Sequence, residues 1–124
     1  MIVNFAKLLY FTFLHNYQVL GFSVMTSVSL VFLIKKPSRT MVFFFVGFLL
    51  LILHFEYQKH IVDNLAEQTA DVLFTTGSYY RTQWLVKVGF YHLLPLLLYL
   101  SGWTLVTLGM IRVGKAIQMN KSSK

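Results

Sequence analysis

Three long apolar runs, separated by short polar segments, organise the chain. Tyr17 to Ile34 holds no charged residue. Met41 to Tyr57 contains Phe43-Phe44-Phe45 and Leu49-Leu50-Leu51, and Trp84 to Ile111 contains Leu96-Leu97-Leu98. About 20 apolar residues in helical form cross the hydrocarbon core of a bilayer, so the pattern predicts transmembrane helices over 17–34, 41–57 and 84–111. The second is short for a span and the third is long. Flanking residues and tilt absorb such mismatch.

The segments between the runs have patterns of their own. Lys35-Lys36-Pro37-Ser38-Arg39 reads as a tight connector, in which Pro37 stops the first helix and Ser38 or Thr40 caps the second. From residue 58 to 75, apolar Ile61, Val62, Leu65, Ala66, Val72 and Leu73 recur at helical spacing. Asp63, Asn64, Glu67 and Asp71 take the opposite face. This predicts an amphipathic helix that continues the second span out of the membrane, with a turn at Thr75-Thr76-Gly77-Ser78. Pro95 lies inside the third run, where its missing amide predicts a kink. Residues 1–16 place Asn4, Lys7, Thr12 and His15 loosely on one face and read as an interfacial lead-in. No signal peptide is expected, since Lys7 is the only early charge and no small-residue cleavage site follows. Residues 112–124 form a basic tail. The fold class expected is an all-α membrane protein of three transmembrane helices in a single domain.

Composition excludes the other classes. Of the 124 residues, 56% are apolar and 12% charged, against roughly 45–50% and about 25% in soluble domains. A soluble fold of this size has no shell in which to hide such segments, and a chain this apolar is not disordered. The absence of cysteine removes disulfides, thiolate metal sites and thiol nucleophiles.

Charge then sets an expected topology. An odd number of spans puts the first connector and the tail on one side, with Lys35, Lys36, Arg39, Arg112, Lys115, Lys121 and Lys124. On the other side Lys7, Lys59, Arg81 and Lys87 balance Glu56, Asp63, Glu67 and Asp71, so the whole formal charge of +7 lies on the basic side. The positive-inside rule turns the basic side toward cytosol, matrix or nucleoplasm. Lys35, Lys36, Arg39, Arg112 and Lys115 are candidate contacts for anionic phospholipid headgroups. The tail is too sparse to read nucleic acid, and none is expected as a partner.

Few residues suggest chemistry. His54 and His92 stand on different helices in the same third of the membrane, as axial ligands of a haem b would. Three helices make a poor haem cage, no carboxylate evidently orients either ring, and no pair of histidines stands four apart as a helical metal clamp would. No resident cofactor is therefore expected, with haem b as the alternative. Glu56, at a membrane edge, needs a partner, and Lys59, Lys87 or His60 is within reach. Asp63, Glu67 and Asp71 repeat at i, i+4, i+8 and form one acidic stripe, either a solvated face or a docking stripe for a basic neighbour. Gly21, Ser23, Thr26 and Ser27 in the first span, and Ser101, Gly102 and Gly109 in the third, are candidate faces for close helix contact. No phosphate loop, nucleophile elbow or dinucleotide fingerprint occurs.

The short second span ending in Phe55-Glu56-Tyr57, the amphipathic helix after it, the aromatic turn Ser78-Tyr79-Tyr80-Arg81, and Pro95 with Leu96-Leu97-Leu98 and a basic exit resemble the transmembrane protein 18 family of three-span eukaryotic proteins, over about Leu30 to Gln118. The resemblance implies a three-helix scaffold, a nuclear-envelope or endoplasmic-reticulum location and a basic tail that contacts DNA. This chain lacks the dense basic run such a tail needs.

The function expected is a small, non-catalytic accessory subunit among other membrane subunits of a larger complex, of the mitochondrial respiratory chain or ATP synthase. The location expected is the inner membrane, with the N-terminus in the intermembrane space and the C-terminus in the matrix. The alternatives are a haem-anchoring subunit of a succinate-dehydrogenase-like complex and a nuclear-envelope protein of the family named above.

Overall fold

The structure, a computed structural model, describes residues 1–74 and 80–123. Among these the chain is helical almost throughout. α1 spans Ile2–Lys35, α2 Arg39–Glu56, α3 Val62–Phe74, α4 Tyr80–Val88 and α5 Leu94–Ser122. Two wide π-helical turns, Tyr57–Ile61 and Gly89–Leu93, join α2 to α3 and α4 to α5. Three continuous helices result, over Ile2–Lys35, Arg39–Val72 and Arg81–Ser122, each long and apolar enough to cross a membrane. The protein is an all-α membrane protein of three spanning helices. The expected turn at Thr75-Thr76-Gly77-Ser78, and Tyr79 of the aromatic turn, lie outside the described residues.

Local chemistry explains the element ends. Pro37 cannot extend α1, and the Lys36 amide closes the last turn on Phe32 O at 2.8 Å. Ser38 then caps α2 by accepting from the Met41 amide at 3.2 Å. The hydroxyls of Thr12, Thr26, Ser27 and Ser29 each donate to the carbonyl four residues back, which shelters them inside an apolar helix. No break separates residue 16 from residue 17 within α1, and Arg112–Ser122 continues α5 as helix.

α2 lies between the other two and packs against both α5 and α1. The α2–α5 seam is built on small residues facing larger ones. Phe44, Gly47 and Leu51, at i, i+3, i+7, meet Gly102, Val106 and Gly109, at i, i+4, i+7. Leu51 and Val106 are each 1% exposed. A Cβ on Gly47 would sit 2.8 Å from Val106 Cγ2 and 3.0 Å from Gly102 O, while one on Gly102 would sit 2.8 Å from Leu51 Cγ and 3.1 Å from Gly47 O. The two backbones therefore touch reciprocally, as small residues permit in membranes. Gly109 lies under the Phe44 ring, 3.0 Å from Cζ to the Cβ position. In α1 the small residues do not act together: Gly21 has nothing within 4 Å, and Ser29 is the buried one. α1 meets α5 through Phe22 and Trp103, whose ring centres stand 6.4 Å apart.

The α2–α3 extension is amphipathic as expected. Val62 and Ala66 are buried, and Asp63, Asn64, Glu67 and Asp71 are exposed. The disturbance expected at Pro95 takes the form of the wide turn Gly89–Leu93 just before it, and Pro95 itself sits buried in the first turn of α5.

Candidate functional site

Polar chemistry concentrates where the two wide turns face each other, and its origin is Pro95. The Leu94 amide reaches back five residues to Gly89 O. Pro95 has no amide to offer. Phe90 O has thus lost the donors that a regular turn or a wide turn would supply, and a bare carbonyl in an apolar setting is costly. Tyr57, buried on the opposite helix, donates its hydroxyl to Phe90 O at 2.8 Å. One turn away, His54 Nδ1 meets Pro95 O at 2.8 Å. A carbonyl only accepts, so Nδ1 is the protonated nitrogen of this contact, and the matching tautomer carries its lone pair on Nε2.

Further links surround this pair. Lys59 Nζ donates to Asn16 Oδ1 at 2.6 Å and to His15 O at 3.3 Å, fastening α1 to the end of α2. The ammonium also lies 5.6 Å from the Phe55 ring centre. Of the three partners open to Glu56, His60 is the one found, with Nε2 3.7 Å from Oε2 one turn along the helix. Tyr91 donates to Asp63 Oδ1 at 2.9 Å.

His54 and His92 line one groove of about 350 Å³, with Gln58, Tyr91, Pro95 and Tyr99 among its other walls. They differ in setting. His54 is half-buried and held by Pro95 O, whereas His92 is exposed and makes no hydrogen bond to any described residue. Among the described residues no three His, Cys, Asp or Glu side chains gather as a metal site. A second cavity of about 240 Å³ opens between α1, α2 and α5, and shares His54, Gln58 and Tyr99 with the first.

At the opposite end the basic residues divide. Lys36 and Arg112 line a cavity of about 390 Å³ with Ser38, Thr40 and Asn120, walled by apolar Phe32 and Ile117. Arg112 stacks over the Phe43 ring at 4.8 Å, which fixes its charge at that mouth. Lys35, Arg39 and Lys115 are exposed and do not line it. Of the acidic stripe, Asp63 is engaged by Tyr91, Glu67 borders a cavity of about 220 Å³ between α3 and α4, and Asp71 is exposed.

Sequence reasoning missed Gly47, hidden in a Phe- and Leu-rich run, and the role of Tyr57, read there only as the end of the second span. The spacing Gly47–Leu51 against Gly102–Val106 was a signal for the first. The second had only Pro95, whose missing amide implied a repair without naming the helix that supplies it. No family model, curated protein or solved structure matches this chain.

Proposed function

We propose that this chain is a small, non-catalytic structural subunit of a larger membrane assembly, of the accessory kind that serves the mitochondrial respiratory chain or ATP synthase. In this reading the basic end faces the matrix and the N-terminus the intermembrane space.

The observation that carries the reading is the N-terminal two-fifths of α1. Every residue from Met1 to His15 is exposed, and the large apolar side chains among them keep from 51% of their surface at Leu14 to 85% at Ile2 and more at Met1. The helix is unbroken over its 34 residues, about 50 Å at 1.5 Å per residue. Fitting that length into a hydrocarbon core of about 30 Å requires a tilt of about 53°, outside the ~0–40° seen for spanning helices. An unbroken rod cannot fold its end flat onto the membrane surface either. Part of this apolar arm therefore lies at or beyond the headgroup layer, and a neighbouring protein is what would keep such a surface from water. At the other end, the Lys36–Arg112 cavity supports a contact with anionic phospholipid: two cations and two hydroxyls at the mouth suit a phosphate, and apolar walls suit acyl chain.

Photoreactive side chains at Phe5 and Leu9, introduced into the full chain in its native membrane, test the reading. Expected are stoichiometric cross-links to subunits of one assembly, which retains this chain after mild detergent. Adducts to lipid alone, with the chain migrating as a free 14.4 kDa protein, would overturn it.

A further inference from the structure

Two cavities meet at one wall made of His54, Gln58 and Tyr99. His54 and Tyr99 stand within helices apolar enough to span a membrane, where lipid tails offer no hydrogen bonds, and Gln58 stands where the second helix leaves it. The Gln58 amide and the Tyr99 hydroxyl make no hydrogen bond to any described residue. The His54 and Tyr99 rings lie 5.3 Å apart. The Pro95 carbonyl holds the His54 proton on Nδ1, so Nε2 is an acceptor held in a fixed orientation. The smaller cavity, between α1, α2 and α5, has aromatic walls from Phe22, Phe55 and Trp103.

This set of groups selects its ligand by chemistry. An acceptor nitrogen calls for a hydroxyl donor. An amide and a phenol beside it serve a second oxygen or the same oxygen's lone pairs. Aromatic walls call for a ring. Neither cavity is lined by Lys, Arg, Asp or Glu, so a phosphate or an amine finds no counter-charge there. The smaller volume, about 240 Å³, falls below the ~300–1,000 Å³ of sites that enclose whole drug-sized molecules and suits one ring with its tail left in lipid. We propose that the cleft around His54, Gln58 and Tyr99 binds the hydroxylated ring of a membrane-dissolved lipid, the ring hydroxyl donating to His54 Nε2. Quinols and sterols share this chemistry. The site stands on residues other than those that carry the proposed function, so either can fail without the other.

The test uses the full chain in nanodiscs, with a photoreactive short-tailed quinol and a photoreactive sterol as separate probes. Saturable labelling of peptides around residues 54–58 and 99–103 by either probe supports the site, and the probe that saturates identifies the source. His54→Asn retains an amide N–H where Nδ1 stood, so it keeps the bond to Pro95 O and the melting temperature, but it has no counterpart of Nε2. It is expected to weaken labelling at least tenfold. Tyr99→Phe is expected to weaken it several-fold. A methyl ether of the quinol, or a sterol methyl ether, should compete at least tenfold less well than its parent. Any one of four results would overturn the proposal: no saturable labelling by either probe; a properly folded His54→Asn chain that labels normally; an ether that competes equally; or a purified chain carrying a Soret band that His54→Asn abolishes.

Discussion

The two ends of the α2–α5 seam are held by opposite means. From Phe44 to Leu51, against Gly102 to Gly109, the helices meet through shape: each backbone closes its own hydrogen bonds, and glycines let bare backbone approach bare backbone. From His54 to Ile61, against Gly89 to Pro95, the helices meet through hydrogen bonds between side chains and carbonyls. The difference follows from one residue. Where every amide is present, an apolar helix has nothing polar to offer a neighbour, and dispersion with close fit is the available attraction. Where Pro95 removes an amide, a carbonyl is exposed, and a partner helix is stabilised by bringing a donor to it. The other hydrogen bonds between helices among the described residues, Lys59 to His15 and Asn16 and Tyr91 to Asp63, lie at this same end of the bundle.

The sharpest way to break the first end is to fill it. Gly102→Val places atoms inside contacts already at 2.8 Å to Leu51 Cγ and 3.1 Å to Gly47 O, and should cost about 3 kcal/mol in reversible unfolding of the detergent-solubilised chain. Gly21→Val, with nothing within 4 Å, is the matched control and should stay within about 0.5 kcal/mol. Equal effects would show that the close contact between Gly47 and Gly102 does not hold the bundle.

The second end is tested by leaving the carbonyl bare. Tyr57→Phe removes the donor to Phe90 O and should cost about 1–2 kcal/mol. In a Pro95→Ala background the restored amide lets the backbone repair itself, and the same change should cost about 1 kcal/mol less. A double-mutant cycle without coupling would mean that Pro95 is not the reason Tyr57 is needed.

Smaller effects separate links between helices from decoration. Lys59→Met releases α1 from α2 at Asn16 and His15, and should cost about 1 kcal/mol, with a broader distance distribution between spin labels on α1 and α3. Tyr91→Phe removes a hydrogen bond between two exposed residues and should change stability by less than about 0.5 kcal/mol.

Some of this organisation needs only one dimension to read. Spanning helices follow from the length of apolar runs, because each such helix satisfies its own backbone wherever it sits. The amphipathic face of α3 follows from helical period, the stop at Pro37 and the cap at Ser38 from local chemistry, and the gathering of Lys35, Lys36, Arg39 and Arg112 at one end from counting crossings. Gly102 and Gly109 were legible as a small face because their spacing is helical. The rest depends on how each helix is turned about its axis relative to its neighbours, which periodicity does not specify. Of two small-residue faces equally visible along the chain, Gly102 and Gly109 on α5 lie in a helix interface and Gly21 on α1 does not. Glu56 had three cations or near-cations within sequence reach, and packing drew Lys59 to α1 and left His60. His54 read as a possible partner of His92 across a cofactor, and the packing adds that its Nδ1 is held by Pro95 O. The tertiary structure decides these matters because a carbonyl freed by proline takes whichever donor the adjoining helix brings within about 3 Å.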